Sequence, residues 1–267
     1  MKKYALIGHN ISYSLSAVIH KAVYDVCDID ATYEIKSIEE SELGEFVEYA
    51  KTHLDGFNVT KPYKEKIVPY LTDCTLKSVN TVVVKQGKLY GYSTDAYGFW
   101  SDVVRNFGEI KGKALVLGSG GAGRVIASIL KEKGMDVYLN NRTTKTGEQV
   151  ASELGVKFVM KGDVSPDLVV NCTSYGFNDG ENPALDENGK MQINTQNVKW
   201  VYDTIYSPPE TEFLKSFPNA KKANGYGMLI LQAVQADRIT CEKEISKSQE
   251  NEIYELAMAR ITKGERQ

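Results

Sequence analysis

The chain has 267 residues and a mass of 29.7 kDa, enough for one large domain or two of moderate size. Its 42% hydrophobic and 25% charged residues are those of a soluble globular protein, and a net charge of −3 gives no reason to expect a nucleic-acid or membrane partner. The apolar runs are too short for a signal peptide or a membrane span. The four cysteines form no C-x-x-C pair and the three histidines leave no zinc constellation visible, so a cytoplasmic protein with free thiols and no metal is expected.

The first hundred residues alternate between strand and helix patterns. Tyr4-Ala5-Leu6-Ile7 reads as a strand closed by Gly8, and Val18, Ile19, Ala22, Val23 and Val26 share a helix face. Thr32–Ile35 is a second strand, Leu43, Phe46, Val47 and Ala50 mark a second helix, and Phe57-Asn58-Val59 is a short third strand. A helix is expected after Pro62, carrying Ile67, Val68 and Leu71. Two strands joined at Gln86-Gly87 make a hairpin, and residues 95–109 look helical. His20 is expected to pack or cap on the first helix, and His53 to lie in a loop.

Residues 114–124 then read Ala-Leu-Val-Leu-Gly-Ser-Gly-Gly-Ala-Gly-Arg. Gly118, Gly120 and Gly123, with Gly121 and Ala122 between them, give the G-x-G-x-x-G spacing between a buried strand and a helical pattern. The first glycine permits the turn, the second lets backbone approach a pyrophosphate, and the third lets helix pack on strand. After the next strand, Val137-Tyr138-Leu139, the chain reads Asn140-Asn141-Arg142-Thr143-Thr144-Lys145, with no carboxylate for a ribose 2′-hydroxyl. Arg142 there favours a 2′-phosphate, and Thr143 and Lys145 add donors, which points to NADP over NAD. Further strands at 168–171 and 199–203, a polar insert at 178–197, helices from Gly227 and around Ile253, and a polar tail at 263–267 complete the pattern.

The stretch Asn58-Val59-Thr60-Lys61-Pro62-Tyr63-Lys64 is the second informative one. Asn58 and Thr60 share one side of a strand end. Lys64, in the first turn of the expected helix, is opposed as a cation by the helix dipole, which suits a proton donor near neutral pH. Together with Ser14-Leu15-Ser16, Asn80-Thr81, Thr94-Asp95, the glycine loop, Asn141-Arg142-Thr143, Asp203-Thr204-Ile205-Tyr206-Ser207-Pro208 and Gly227–Gln232, this stretch resembles the shikimate dehydrogenase family. The resemblance runs from about residue 4 to about residue 236 and lies in the order and spacing of the motifs. Tyr13, Ala17, Lys21 and Cys172-Thr173-Ser174 depart from the family pattern.

The resemblance implies an α/β protein of two domains with a cleft between them. Residues 1–97, completed by helices at 227–267, would form the substrate domain, and residues 98–226 a Rossmann-like NADP domain. It implies that Ser14 and Ser16 hold a substrate carboxylate, that Asn58, Thr60, Asn80 and Gln232 bond ring hydroxyls, and that Lys64 and Asp95 form the catalytic pair. Tyr206 would lie near the substrate or nicotinamide, and Thr173 and Gly225 would line the cofactor. The implied reaction is the reversible reduction of 3-dehydroshikimate to shikimate with NADPH, by a monomer or homodimer. Quinate or an aminated shikimate is the alternative substrate within the family, and a dinucleotide sensor without turnover is the alternative outside it.

Overall fold

The structure, a computed structural model, describes residues 1–177 and 181–265. Part of the expected polar insert (178–180) and of the expected tail (266–267) lies outside the described residues. In chain order the elements begin with β1 (Lys2–Gly8), α1 (Ser16–Cys27), β2 (Ala31–Ser37), α2 (Leu43–His53), β3 (Gly56–Val59), β4 (Thr81–Lys85), β5 (Lys88–Tyr92) and α3 (Asp95–Phe107). They continue with β6 (Lys113–Leu117), α4 (Gly121–Glu132), β7 (Asp136–Asn140), α5 (Thr144–Leu154), β8 (Lys157–Phe158), β9 (Leu168–Asn171) and β10 (Trp200–Asp203). The last are α6 (Glu212–Lys215), β11 (Lys221–Ala223), α7 (Tyr226–Thr240) and α8 (Lys247–Thr262). Two compact units result: Met1–Gly98 with Ile230–Gln267, and Phe99–Leu229.

The first unit is built on a five-stranded sheet ordered β2-β1-β3-β4-β5. β1 runs parallel to β2 and β3, and β3, β4 and β5 are successively antiparallel. The hairpin turn has Gln86 and Gly87 both at positive φ, the geometry that matches the twist of two strands joined by two residues. Leu43, Phe46, Val47 and Ala50 recur at helical spacing on α2 and bury that face against Ala5, Ile7, Phe57, Val59 and Val82 of the sheet. α1 packs on α8. The parallel strands β1 and β3 end side by side, and the segments that leave them carry Ser14, Ser16 at the first position of α1, Thr60 and Lys64.

The helix expected after Pro62 does not form. Residues 61–67 are successive turns, followed by a single 3₁₀ turn at Val68–Tyr70. Pro69 explains this: it lacks an amide hydrogen and disfavours the α conformation at Val68, so a helix continuing through Leu71 would lose a bond and clash. The amides of Tyr63, Val68, Tyr70 and Leu71 bond three residues back instead. Ile67 is buried in the same core as α2. His53, expected in a loop, is the last residue of α2, its ring stacked on Tyr49 one turn earlier.

The second unit carries a six-stranded, wholly parallel sheet ordered β11-β10-β9-β6-β7-β8. Counted within the unit, the order is 3-2-1-4-5-6 read from β8, the doubly wound Rossmann arrangement. The chain reverses direction across the sheet between β6 and β9, and the glycine loop follows β6 at that switch point. Ala114, Leu115, Val116, Leu117, Leu168, Val169 and Val170 are fully buried, as strands covered on both faces must be. α5, β8, α6 and β11 were not foreseen. α5 buries only Gly147, Val150 and Ala151, β8 has two residues, and the lysine-rich edge strand β11 carries little apolar signal.

Candidate active site

In the first unit, polar side chains from several elements are hydrogen-bonded to one another. Lys64 Nζ donates to Asp95 Oδ2 at 2.7 Å, and the pair is mostly buried. The Lys64 carbonyl accepts from the Val79 amide at 2.8 Å, which fixes its backbone in the turn segment. Lys64 therefore owes its position to a carboxylate partner and a backbone tether, and the helix dipole expected from the sequence is absent. Asp95 opens α3, and its other oxygen, Oδ1, accepts from Asn80 Nδ2 at 2.8 Å.

Asn80 is the hub of the cluster. Its amide nitrogen also faces Thr94 Oγ1 at 2.9 Å and Gln232 Oε1 at 3.2 Å, and its Oδ1 accepts from the Thr94 amide and the Thr81 hydroxyl. Thr94 Oγ1 donates to Gln232 Oε1 at 3.2 Å, which brings α7 to the same point. Asn58 Nδ2 donates to the Asn80 carbonyl and to Thr81 Oγ1. Ser14 and Ser16 sit where β1 runs into α1, with Ser14 Oγ bonded to Ser16 Oγ at 3.1 Å. Thr60 follows β3, its amide bonded to the Ile7 carbonyl. The linking parts of Thr81 and Thr94 were missed in the sequence, where each stood only as the neighbour of a candidate residue.

In the second unit the glycine loop has the shape an anion needs. Gly118 stands at φ +98°, and a side chain on Gly123 would strike the Gly118 carbonyl oxygen at 2.0 Å, so both positions require glycine. Cβ atoms placed on Gly120 and Gly121 would meet nothing within 4 Å. That space lies at the start of α4, where Gly120 is the N-cap and Gly121 and Ala122 open the first turn with their amides unbonded within the helix. Asn141 ties this loop to the next: its Oδ1 accepts from the Ser119 amide at 3.1 Å, and its Nδ2 donates to the Thr143 carbonyl at 3.0 Å. Arg142 follows, exposed, donating to the Tyr175 hydroxyl at 3.2 Å, and Thr143 and Lys145 are exposed at the start of α5. The residues fit a dinucleotide: an open backbone cradle for a pyrophosphate, and a guanidinium where a 2′-phosphate would stand.

Fully buried at the end of β10, Asp203 accepts from Asn171 Nδ2, the Ile205 amide and the Thr211 hydroxyl. Burial pushes its carboxyl up to about 6, and these donors pull the other way. Asn171 Oδ1 in turn accepts from the amide and hydroxyl of Thr173, holding that candidate residue beside Gly118. Gly225 has a packing reason of its own, since a Cβ there would lie 2.2 Å from the Thr204 carbonyl oxygen. Tyr206 lies in the second unit with its ring 5.2 Å from that of Tyr226. Among the described residues, no group of three or more His, Cys, Asp or Glu side chains could hold a metal ion.

The family model for the shikimate dehydrogenase substrate binding domain matches residues 6–82. The NADP-dependent shikimate dehydrogenase of Clostridium beijerinckii is 32% identical to this chain, over 96% of it and 98% of the relative. The chain belongs to the shikimate dehydrogenase family. That of Nitrosopumilus maritimus is 35% identical over 89% of this chain and 92% of its own. The solved shikimate 5-dehydrogenase of Thermus thermophilus, in complex with NADP(H) and shikimate, superposes with a TM-score of 0.84 at 28% identity, covering 97% of this chain and 99% of that one. Among the described residues, no helix of this family member is long and apolar enough to cross a membrane.

Proposed function

We propose that the chain reversibly reduces 3-dehydroshikimate to shikimate with NADPH. The observation that carries this is the Lys64–Asp95 pair, set among neutral amide and hydroxyl groups in a chain of this family. The first unit holds the ring acid and the second the cofactor. Ser14 and Ser16 hydroxyls at the start of α1 hold the carboxylate, while Asn58, Thr60, Asn80 and Gln232 bond the ring hydroxyls. Gly118, Gly120, Gly121, Ala122 and Gly123 cradle the pyrophosphate, and Asn141, Arg142, Thr143 and Lys145 surround the adenosine phosphate. Thr173, Gly225 and Tyr206 stand on the nicotinamide side.

NADPH supplies the hydride equivalent that reaches the carbonyl carbon. Lys64 supplies the other half: its ammonium stabilises the negative charge that develops on the carbonyl oxygen and gives up a proton to it. Asp95 keeps the ammonium aimed. Asn80 occupies the second Asp95 oxygen, so the carboxylate cannot turn away from Lys64. In the reverse direction Lys64 takes the hydroxyl proton of shikimate. The working enzyme is a cytoplasmic monomer or homodimer with no nucleic-acid partner.

The test is nicotinamide absorbance with shikimate and NADP, beside quinate. Shikimate is expected to show kcat/KM at least about tenfold above quinate, one discriminating contact being worth that much. Equal or better use of quinate would move the assignment to the neighbouring substrate, and binding of NADP with no turnover of either acid would make the chain a sensor.

A further inference from the structure

In the second sheet β6 lies between β7 and β9, and all three run parallel. The loops that leave them therefore emerge at one edge, with the glycine loop in the middle. Arg142 is on the loop after β7, and Tyr175 is on the loop after β9. Strands two places apart in a sheet are about 10 Å apart. The bond from Arg142 Nη1 to the Tyr175 hydroxyl, at 3.2 Å, closes that gap with side chains and joins the loops on either side of the glycine loop.

The partner that Arg142 has is unlike those of other arginines in the chain. Arg124, Arg238 and Arg260 each face a carboxylate, on Glu153, Glu250 and Asp25 respectively. Among the described residues Arg142 pairs with no carboxylate and is held by a neutral hydroxyl. A carboxylate would hold the guanidinium still and cancel its charge. A phenol holds it and leaves the charge for an anion. Because the phenol oxygen accepts from Arg142, its own proton is left to donate, and among the described residues it donates to no protein group. A cation on that oxygen also makes the O–H a stronger donor.

Tyr175 is exposed, yet its backbone is pinned from within the fold. Its amide donates to Thr173 Oγ1 at 3.2 Å, and its carbonyl accepts from Asn171 Nδ2 at 3.0 Å. Asn171 is fully buried and is tied at 2.9 Å to Asp203, which is fully buried as well. The phenol thus leaves from a fixed backbone and reaches Arg142 from the far side of the glycine loop.

We propose that Tyr175 is a specificity-determining residue for NADP: it orients the Arg142 guanidinium and adds its own O–H to the same 2′-phosphate. NAD, which carries no charge there, gains little from either group. The proposal rests on the reading that places Arg142 at the 2′-phosphate.

Calorimetric titration with ADP-ribose and with its 2′-phosphate tests this without turnover, since the two probes differ only in that phosphate. Tyr175→Phe keeps the ring and deletes the hydroxyl. It is expected to weaken the phosphorylated probe about five- to tenfold and to leave ADP-ribose within about twofold, as the loss of one exposed hydrogen bond to a charged group allows. The NADP KM should rise by the same factor, with kcat and the shikimate KM unchanged. In a double-mutant cycle with Arg142→Ala the two losses should fall short of multiplying, because part of the effect of the tyrosine runs through the guanidinium. Unchanged binding of the phosphorylated probe to Tyr175→Phe, equal loss of both probes, or multiplicative losses overturn the proposal. A wild-type preference for the phosphorylated probe that Arg142→Ala removes and Tyr175→Phe leaves intact overturns the proposal alone. A wild type that binds both probes equally overturns the reading of Arg142 and this inference with it.

Discussion

The two units prepare for their ligands in opposite ways. In the first, the candidate ligands are side chains already bonded to each other: Asn80 alone touches Thr81, Thr94, Asp95 and Gln232. In the second, the centre of the candidate site is backbone and open space around Gly120 and Gly121, with Arg142, Thr143 and Lys145 exposed on the next loop. A ring bearing several hydroxyls must be read atom by atom, which asks for a preset array of donors and acceptors. A pyrophosphate needs amides at a helix start and room to approach them. Substitutions in the first unit should therefore act through chemistry and affinity, and those in the second through space and charge.

Lys64→Ala is the strongest challenge to the side-chain half of that contrast. It should lower kcat by about two to four orders of magnitude with little change in KM, the range of a lost general acid. Steady-state kinetics within tenfold of wild type would remove Lys64 from the chemistry. Arg142→Ala tests the charge half. It should cost the NADP complex about 1.5–3 kcal/mol, a ten- to hundredfold loss of preference over NAD, and equal loss for both cofactors would place the 2′-phosphate elsewhere.

A buried carboxylate in the second unit separates a network that serves a ligand from one that serves the fold. Asp102 on α3 accepts from the Tyr202 hydroxyl at 2.7 Å and from Asn106 Nδ2 at 2.9 Å, and burial pushes it up to about 6. Its folded value is raised, so its stabilising contribution is complete below the ordinary carboxylate value of 3.8 and is lost as pH rises through about 6. Asp102→Asn should flatten the fall of unfolding free energy between pH 4 and 7, by up to about 3 kcal/mol, without touching either KM. Denaturant titrations at the two pH values read this directly.

The glycines give the finest distinction. Gly123→Ala drives a Cβ into the Gly118 carbonyl and should cost about 1–3 kcal/mol of stability. Gly120→Ala meets no protein atom within 4 Å, so its melting temperature should match wild type while the NADP KM rises about tenfold from impaired approach to the amides. A drop in Tm for Gly120→Ala would mean that the space serves the fold.

The parts legible in the sequence were those with a short, self-contained signal. The strand–glycine–helix unit declares itself because Gly118 and Gly123 are demanded by backbone geometry within a few residues. The α2 face shows because its four apolar residues share one helical period. The turn at 61–67 was misread as helix because Ile67 and Leu71 have helical spacing, while the deciding residue, Pro69, sits between them. Asn58, Asn80 and Gln232 were visible as motif members, but the bonds among them join residues up to 152 positions apart, and no local pattern encodes those. Asp237 was hidden for a related reason: an acid in an apolar helix looks like an exposed position until its partner His20, 217 residues away, is known.

The chain order of the two units bears on how the protein is made. Phe99–Leu229 is one uninterrupted stretch, whereas the first unit needs both Met1–Gly98 and the segment from Ile230. A ribosome delivers the start of the first unit earliest, yet the second unit is the first to have all its residues outside the tunnel. Throughout that interval α1 waits without α8, and His20 waits without Asp237. A nascent chain stalled with Leu229 just outside the tunnel, and the segment from Ile230 still inside it, should therefore carry a protease-resistant second unit behind a first unit that is still open to cleavage.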